Sequence, residues 1–139
     1  MLSKFLSEMP FFGVFLTAVT YVIGICQIAP HDALDAATKG FMDAVEAELG
    51  KENVEFDLQN AAGDSNTCST IVNTFVSDDV DLIMANATPA LQAAAAATDE
   101  IPILGTSVTE YGVALGIENF SGLVGNNISG TSDLAPLDK

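Results

Sequence analysis

The sequence predicts an α/β domain built on a doubly wound, mostly parallel sheet with helices on both faces. Three observations point there. Short apolar or alternating runs trade places with runs of helical period from Tyr21 to Val108. The run "DLIMANA" is apolar, as a strand buried on both faces is, whereas "VEFDLQNA" alternates, as an edge strand does. The helical runs open on capping residues or Pro, and the first closes on Gly. With strand two at the edge, the strand order is 2-1-3-4, extended to 5 if the segment after Leu123 also pairs.

The elements follow in order. "YVIGICQI" is strand one, β-branched and uncharged. In "APHDALDAATKGFMDAVEAELG", Leu34, Ala37, Phe41, Ala44 and Val45 share one helical face, acidic residues fill the other, and Gly50 stops the helix. Val54, Phe56 and Leu58 alternate with Glu55, Asp57 and Gln59 in strand two. "GDSNTCSTIVNTFVSDD" offers Asp64 or Ser65 as N-cap, with Ile71, Val72, Phe75 and Val76 as its buried stripe. After strand three comes "TPALQAAAAAT", with Thr88 as N-cap and Pro89 at the first helical position, where a missing N–H costs nothing. Its small alanines let the helix lie close to the sheet. "IPILGTSV" is strand four, "TEYGVALGIENF" a short helix or loop, and "LVGNNISGTSDL" a last strand.

Ahead of this pattern no charge occurs between Glu8 and Asp32. Residues 1–20 are expected to be an apolar export or anchor segment, or an artefact of the reading frame. Residues 21–139 are expected to form the folded domain.

Composition bounds the function. The chain has 139 residues, enough for one domain, with 49% hydrophobic and 17% charged residues. Nineteen acidic residues face four lysines and no arginine, for a formal charge of -15. Phosphates repel such a surface, so nucleic acid is excluded and a membrane is met only through the N-terminal segment. Any bound carboxylate or phosphate must be held by backbone N–H groups, hydroxyls and helix N-termini. Cys26 lies in an apolar run and Cys68 in a helix, so both read as buried free thiols and neither as a loop staple. With no CxxC and no Cys/His cluster, no metal site is expected. No cofactor is expected either. A GxGxxG after strand one, a Walker loop and a GxSxG elbow are all missing, and Gln27 and Asn86 stand where a phospho-acceptor domain wants acids. The polar loops therefore read as built to hold a small molecule without transforming it.

In a doubly wound sheet, ligands sit outside the C-terminal strand ends. The loops there are "QIAPHD", "NATPA" and "TSVTEY". Asn86, Ala87 and Thr88, with the first free N–H groups of the next helix, form an anion grip, although capping alone also accounts for Thr-Pro. Thr106 and Ser107 form a second hydroxyl cluster on the same rim, or an ordinary turn. His31, the only histidine, reads as a surface or rim residue, and Tyr111 either stacks on a ligand or packs the loop.

Several of these segments agree, in order and spacing, with one family. "IGICQIAPHDALDAATKGFMDAV", "VEFDLQNAAGDSNTCSTIVNTFVSDDVDLIMANATPALQAAAAAT", "IPILGTSVT" and "NISGTSDLAP" resemble the N-terminal lobe of bacterial ABC-transporter substrate-binding proteins, in the group associated with tryptophan, tyrosine and other amino-acid-like ligands. The resemblance implies a type I periplasmic-binding-protein fold, a single lobe of a two-lobed binding protein that closes on its ligand. It implies non-enzymatic capture of a solute, an amino acid or analogue, outside the cytoplasmic membrane, for an ABC permease that is engaged when the second lobe is present. An extracytoplasmic sensory module with an uncleaved N-terminal anchor is the alternative. The resemblance places ligand contacts at Gln27 and His31, at Asn86, Ala87 and Thr88, and at Thr106 and Ser107. It sets Ser132 and Asp133 at the crossing toward the second lobe. The chain stops at "SDLAPLDK", where that crossing would begin, so a truncated product, or part of a longer one, is the expectation.

Overall fold

A computed structural model describes residues 19–134. Apart from Val19 and Thr20, the expected export or anchor segment lies outside the described residues. Among the described residues, no helix is long and apolar enough to cross a membrane.

Five strands form one sheet: β1 (Tyr21–Gln27), β2 (Val54–Asn60), β3 (Leu82–Asn86), β4 (Ile103–Val108) and β5 (Ile128–Ser132). Their order is β2-β1-β3-β4-β5 and every pairing is parallel, so the expected order holds and the fifth strand joins it. Four helices connect them: α1 (Asp32–Leu49), α2 (Ser65–Ser77), α3 (Thr88–Ala97) and α4 (Tyr111–Leu115), with a single 3-10 turn at Lys51–Asn53.

Helix boundaries follow from local chemistry. His31 Nδ1 accepts from the Ala33 N–H and caps α1, while Asp32 and Asp35 complement the positive end of the dipole. Gly50 ends α1 at φ 86, a conformation open to glycine, and its N–H returns to the Glu46 carbonyl. Asp64 caps α2 through the Asn66 N–H. The expected cap of α3 is corrected: Thr88 is already helical, Pro89 follows it, and the cap position is Ala87, whose side chain has nothing to donate or accept.

The two faces of the sheet are packed differently. One carries α2, α3 and α4 over Cys26, Ile83, Ala85, Ile103 and Val108, together with Phe75, Leu91 and Tyr111. Here Gly24 is required by close approach, because a Cβ at that position would stand 2.6 Å from the Phe75 ring. The other face carries α1, whose Phe41, Met42 and Val45 close over Ile23, Ile25 and Met84. Phe41 meets Phe56 of the edge strand edge-on, with ring centroids 6.4 Å apart.

Candidate functional site

Strand register aligns the polar ends of the strands. Gln27 pairs with Asn60 on one side and with Asn86 on the other, and Asn86 pairs with Thr106. A row of polar side chains, Asn60–Gln27–Asn86–Thr106, therefore crosses four strands at their C-terminal ends. Thr131 of β5 extends it, with its Oγ1 3.4 Å from that of Thr106. Side chains alternate across a strand, so this row tops the same face that Ile23, Ile25 and Met84 fill below.

Thr38 reaches down from α1 and ties the row together. Its hydroxyl donates to Gln27 Oε1 at 2.7 Å and accepts from Asn86 Nδ2 at 2.9 Å. Asn86 Nδ2 also donates to the Leu34 carbonyl, and Gln27 Nε2 donates to the Ala29 carbonyl and to Asp35 Oδ1 at 2.6 Å. All three residues are buried: Gln27 and Thr38 are 3% exposed and Asn86 is 0% exposed. Gln27 and Asn86 thus turn inward to hold α1, and their amides brace the rim from beneath. Asn86 Oδ1 is left buried without a donor.

Above this brace, the backbone at the ends of β3 and β4 is unusual. Ala87 has φ 87 and ψ 160, a region that is essentially glycine's alone, and Ser107 has φ 56. The two are neighbours, since the Ala87 N–H donates to the Thr106 carbonyl at 2.9 Å. At Ser107 the pairing of β4 with β5 also shifts register, between Gly105 and Val108. Ala87 places the first N–H groups of α3 at the rim with no side chain capping them. Thr88, Thr106 and Ser107 are half-buried around this helix end.

The remaining expected residues have definite places. Ser132 stands beside Val108, donates to the Thr109 carbonyl at 2.7 Å and accepts from the Leu134 N–H. The Asp133 N–H donates to the Val108 carbonyl, and Asp133 is exposed. His31 is exposed, with Nδ1 engaged as the α1 cap. Tyr111 packs the loop: it is buried beneath Gly105 and Gly130, donates to the Thr131 carbonyl at 3.1 Å, and burial followed by the nearby Asp133 charge pushes its phenol up. Sequence reasoning missed Thr38, Asp35 and Asn60. Thr38 carried a signal, since it sits four residues after Leu34 and one after Ala37, within the apolar stripe of α1.

The rim is an open shelf flanked by two grooves along α1. One, of about 320 Å³, lies against β2 and is lined by Gln27, Asp35, Thr38, Met42 and Leu58. The other, of about 260 Å³, lies against β4 and β5 and runs from Phe41 and Leu104 to Thr106 and Thr131. Among the described residues, no cluster of His, Cys, Asp or Glu could hold a metal ion.

Residues 22–139 match the family model of ABC transporter substrate-binding proteins. The chain belongs to that family. It is 45% identical over 119 residues to a tyrosine-binding protein of Clostridioides difficile, covering 84% of this chain and 34% of that protein. Among solved structures, it resembles a ligand-free, open substrate-binding protein with adhesive properties from Clostridium difficile, with TM-score 0.77 and 45% identity. That match covers 84% of this chain and 40% of the other. A Streptococcus pneumoniae protein solved in complex with L-Trp gives TM-score 0.76 and 31% identity, over 83% of this chain and 39% of the other. The chain spans about a third of the length of the curated relative and corresponds to one lobe of the solved structures. Members of the family bind solutes and work outside the cytoplasmic membrane.

Proposed function

We propose that residues 21–139 are the N-terminal lobe of an amino-acid-capturing protein of an ABC importer, acting without chemistry on its ligand. The observation that carries this reading is the pair of strained strand ends. Ala87, just past the end of β3, and Ser107 of the adjoining β4 are non-glycine residues at positive φ. Each such conformation costs about 1–3 kcal/mol and persists only when its surroundings enforce it, which is typical of ligand clamps. Strain at Ala87 turns the N-terminus of α3 toward the rim, where the helix dipole and free N–H groups suit an α-carboxylate. With no arginine in the chain, this is the anion-holding device the sequence leaves available.

The hydroxyls of Thr88, Thr106 and Ser107 then contact the ligand from the same wall, while Gln27 and Asn86 hold that wall to α1. His31, Ser132 and Asp133 belong to its margin, the last two leading toward an opposing lobe. The amino-acid-binding relatives support the ligand class. The open shelf accounts for the need of a second wall, because a trap excludes water only when closed. A permease is the partner of the two-lobed form. Residues 1–20 export or anchor the protein.

Equilibrium dialysis against aromatic and aliphatic amino acids at millimolar concentration tests the reading. Binding of at least one amino acid is expected, weakened tenfold or more by Thr88→Asp, which sets a competing carboxylate at the helix end. No binding across the panel, or binding indifferent to Thr88→Asp, contradicts it.

A further inference from the structure

β2 is a terminal strand of the sheet: β1 pairs with one side of it, and among the described residues no strand pairs with the other. Its register with β1 is unbroken over seven residues and holds no proline, so neither a bulge nor a ring blunts the edge. The Ala61 N–H donates to the Gln27 carbonyl, and main-chain groups alternate in direction along a strand. Glu55, Asp57 and Gln59 therefore bond toward β1, while the N–H and C=O groups of Val54, Phe56, Leu58 and Asn60 point away from the sheet.

The two faces beside this edge differ. Phe56 and Leu58 stand level with Ile23 and Ile25, on the side of α1. There the groove of about 320 Å³ is floored by Met42 and Leu58, and α1 adds Asp35, Asp43, Glu46 and a Lys39 whose Nζ is already paired with Asp43. Leu58 is 48% exposed, an apolar side chain on an open edge. On the opposite face Glu55 is exposed and Asp57 half-buried, with Asp57 Oδ1 accepting from Gln59 Nε2. Both faces are thus acidic, with five carboxylates against one lysine, and one of them also has an apolar floor.

We propose that the outer edge of β2 receives an extended basic segment of a partner protein, which adds to the sheet as a sixth strand. Its main chain bonds to the outward groups of Phe56 and Leu58, about 4.8 Å from β2. Its side chains alternate, so one set enters the groove beside α1 and the other lies against Glu55 and Asp57. What each set meets fixes its chemistry: apolar residues for the groove floor, Lys or Arg for the carboxylates. A second copy of this chain does not suit the edge, because its own β2 brings Glu55 and Asp57 and the chain carries a formal charge of -15. The edge lies on the opposite side of β1 from β3 and β4, so its occupancy does not depend on amino-acid capture.

NMR titration of the isotope-labelled full chain with acetylated, amidated heptapeptides tests this. The peptides are Lys-Val-Lys-Val-Lys-Val-Lys, the same sequence with Glu for Lys, and Lys-Lys-Lys-Lys-Val-Val-Val, which keeps the composition and loses the alternation. The alternating lysine peptide is expected to bind with a dissociation constant of about 0.1–1 mM at low salt, to shift amides within residues 54–60, and to weaken tenfold or more in about 0.5 M salt. The glutamate peptide should not bind, and the block peptide should bind at least fivefold more weakly. Two N-methylated forms of the alternating peptide, one on the lysine amides and one on the valine amides, separate strand addition from charge attraction alone. Only one set of amides faces β2, so one form loses binding and the other keeps it. Glu55→Lys combined with Asp57→Lys should weaken binding tenfold or more, and so should Leu58→Pro, which removes an outward N–H while sparing the pairing with β1. Thermal midpoints report whether these variants fold, and the peptide comparisons use the unaltered chain. No binding, equal binding of the block and alternating peptides, equal behaviour of the two methylated forms, or shifts confined to residues outside 54–60 would overturn the proposal. So would a dimer of the chain that Leu58→Pro dissolves, since a second copy would then hold this edge.

Discussion

The two faces of the sheet are held by different physics. Behind β1 and β3, the face under α2, α3 and α4 is an apolar jigsaw in which Gly24 admits Phe75 and a glycine pair admits Tyr111. The face under α1 is apolar only in its lower part and is closed at the strand ends by Gln27, Thr38 and Asn86. Apolar packing supplies stability without direction, whereas a hydrogen-bonded row fixes one helix in one register above a rim. The difference fits the proposed ligand wall: the side with buried polar groups is the side whose helix is held in one geometry.

The sharpest way to break the comparison is on the apolar side. Phe75→Ala should cost about 3–5 kcal/mol, measured by urea unfolding, as a fully buried aromatic is lost. Gly24→Ala should cost about 1–3 kcal/mol through the clash with that ring, and much less in a Phe75→Leu background. Equal costs in both backgrounds would show that the ring is not what excludes a side chain at residue 24.

On the polar side, Thr38→Val keeps the shape but leaves Gln27 Oε1 and one donor direction of Asn86 unpaired. A loss of about 1–3 kcal/mol is expected, together with weaker ligand binding. A stability loss with unchanged binding would separate the brace from the rim.

Alkaline pH discriminates the faces without a mutation on the rim. Both thiols have an ordinary value near 9 that is raised on folding, chiefly by burial. As pH rises past 9, the unfolded chain loses thiol protons that the folded chain keeps. The reduced protein is therefore fully stabilised below that pH and weakens above it, by up to about 1.4 kcal/mol per pH unit per thiol. Tyr111 adds the same sign above about 10. Urea midpoints at pH 8 and 10 should converge in a Cys26→Ala, Cys68→Ala double variant.

The smallest effect is expected at the rim. Ala87→Gly should stabilise the fold by about 1 kcal/mol, because glycine relieves the positive φ. A destabilised Ala87→Gly would mean that the conformation carries no strain.

Much of this was legible in the sequence. The order of strands and helices followed from period and punctuation, and the edge position of β2 from its alternation. The adjacency of the Asn86 and Thr106 loops followed from topology, since both end neighbouring parallel strands. Side-chain commitments were not legible. Whether Asn86 faces a ligand or Leu34 depends on which face of β3 meets α1, and a residue that reads as loop polarity is 0% exposed. Thr88 failed as a cap because the chain leaves β3 at φ 87, a backbone choice that an alanine does not announce. The burial of Cys26 and Cys68 in one core cluster joins two elements that local pattern treats separately.

The central claim is that the ends of β3 and β4 together form one ligand wall. Backbone amide shifts of the isotope-labelled chain, followed while L-tyrosine or L-tryptophan is titrated to millimolar concentration, test it most directly. The account predicts that the largest changes cluster at residues 87–91 and 106–109. Changes centred instead on the groove beside β2, or none at saturation of the ligand's solubility, would contradict it.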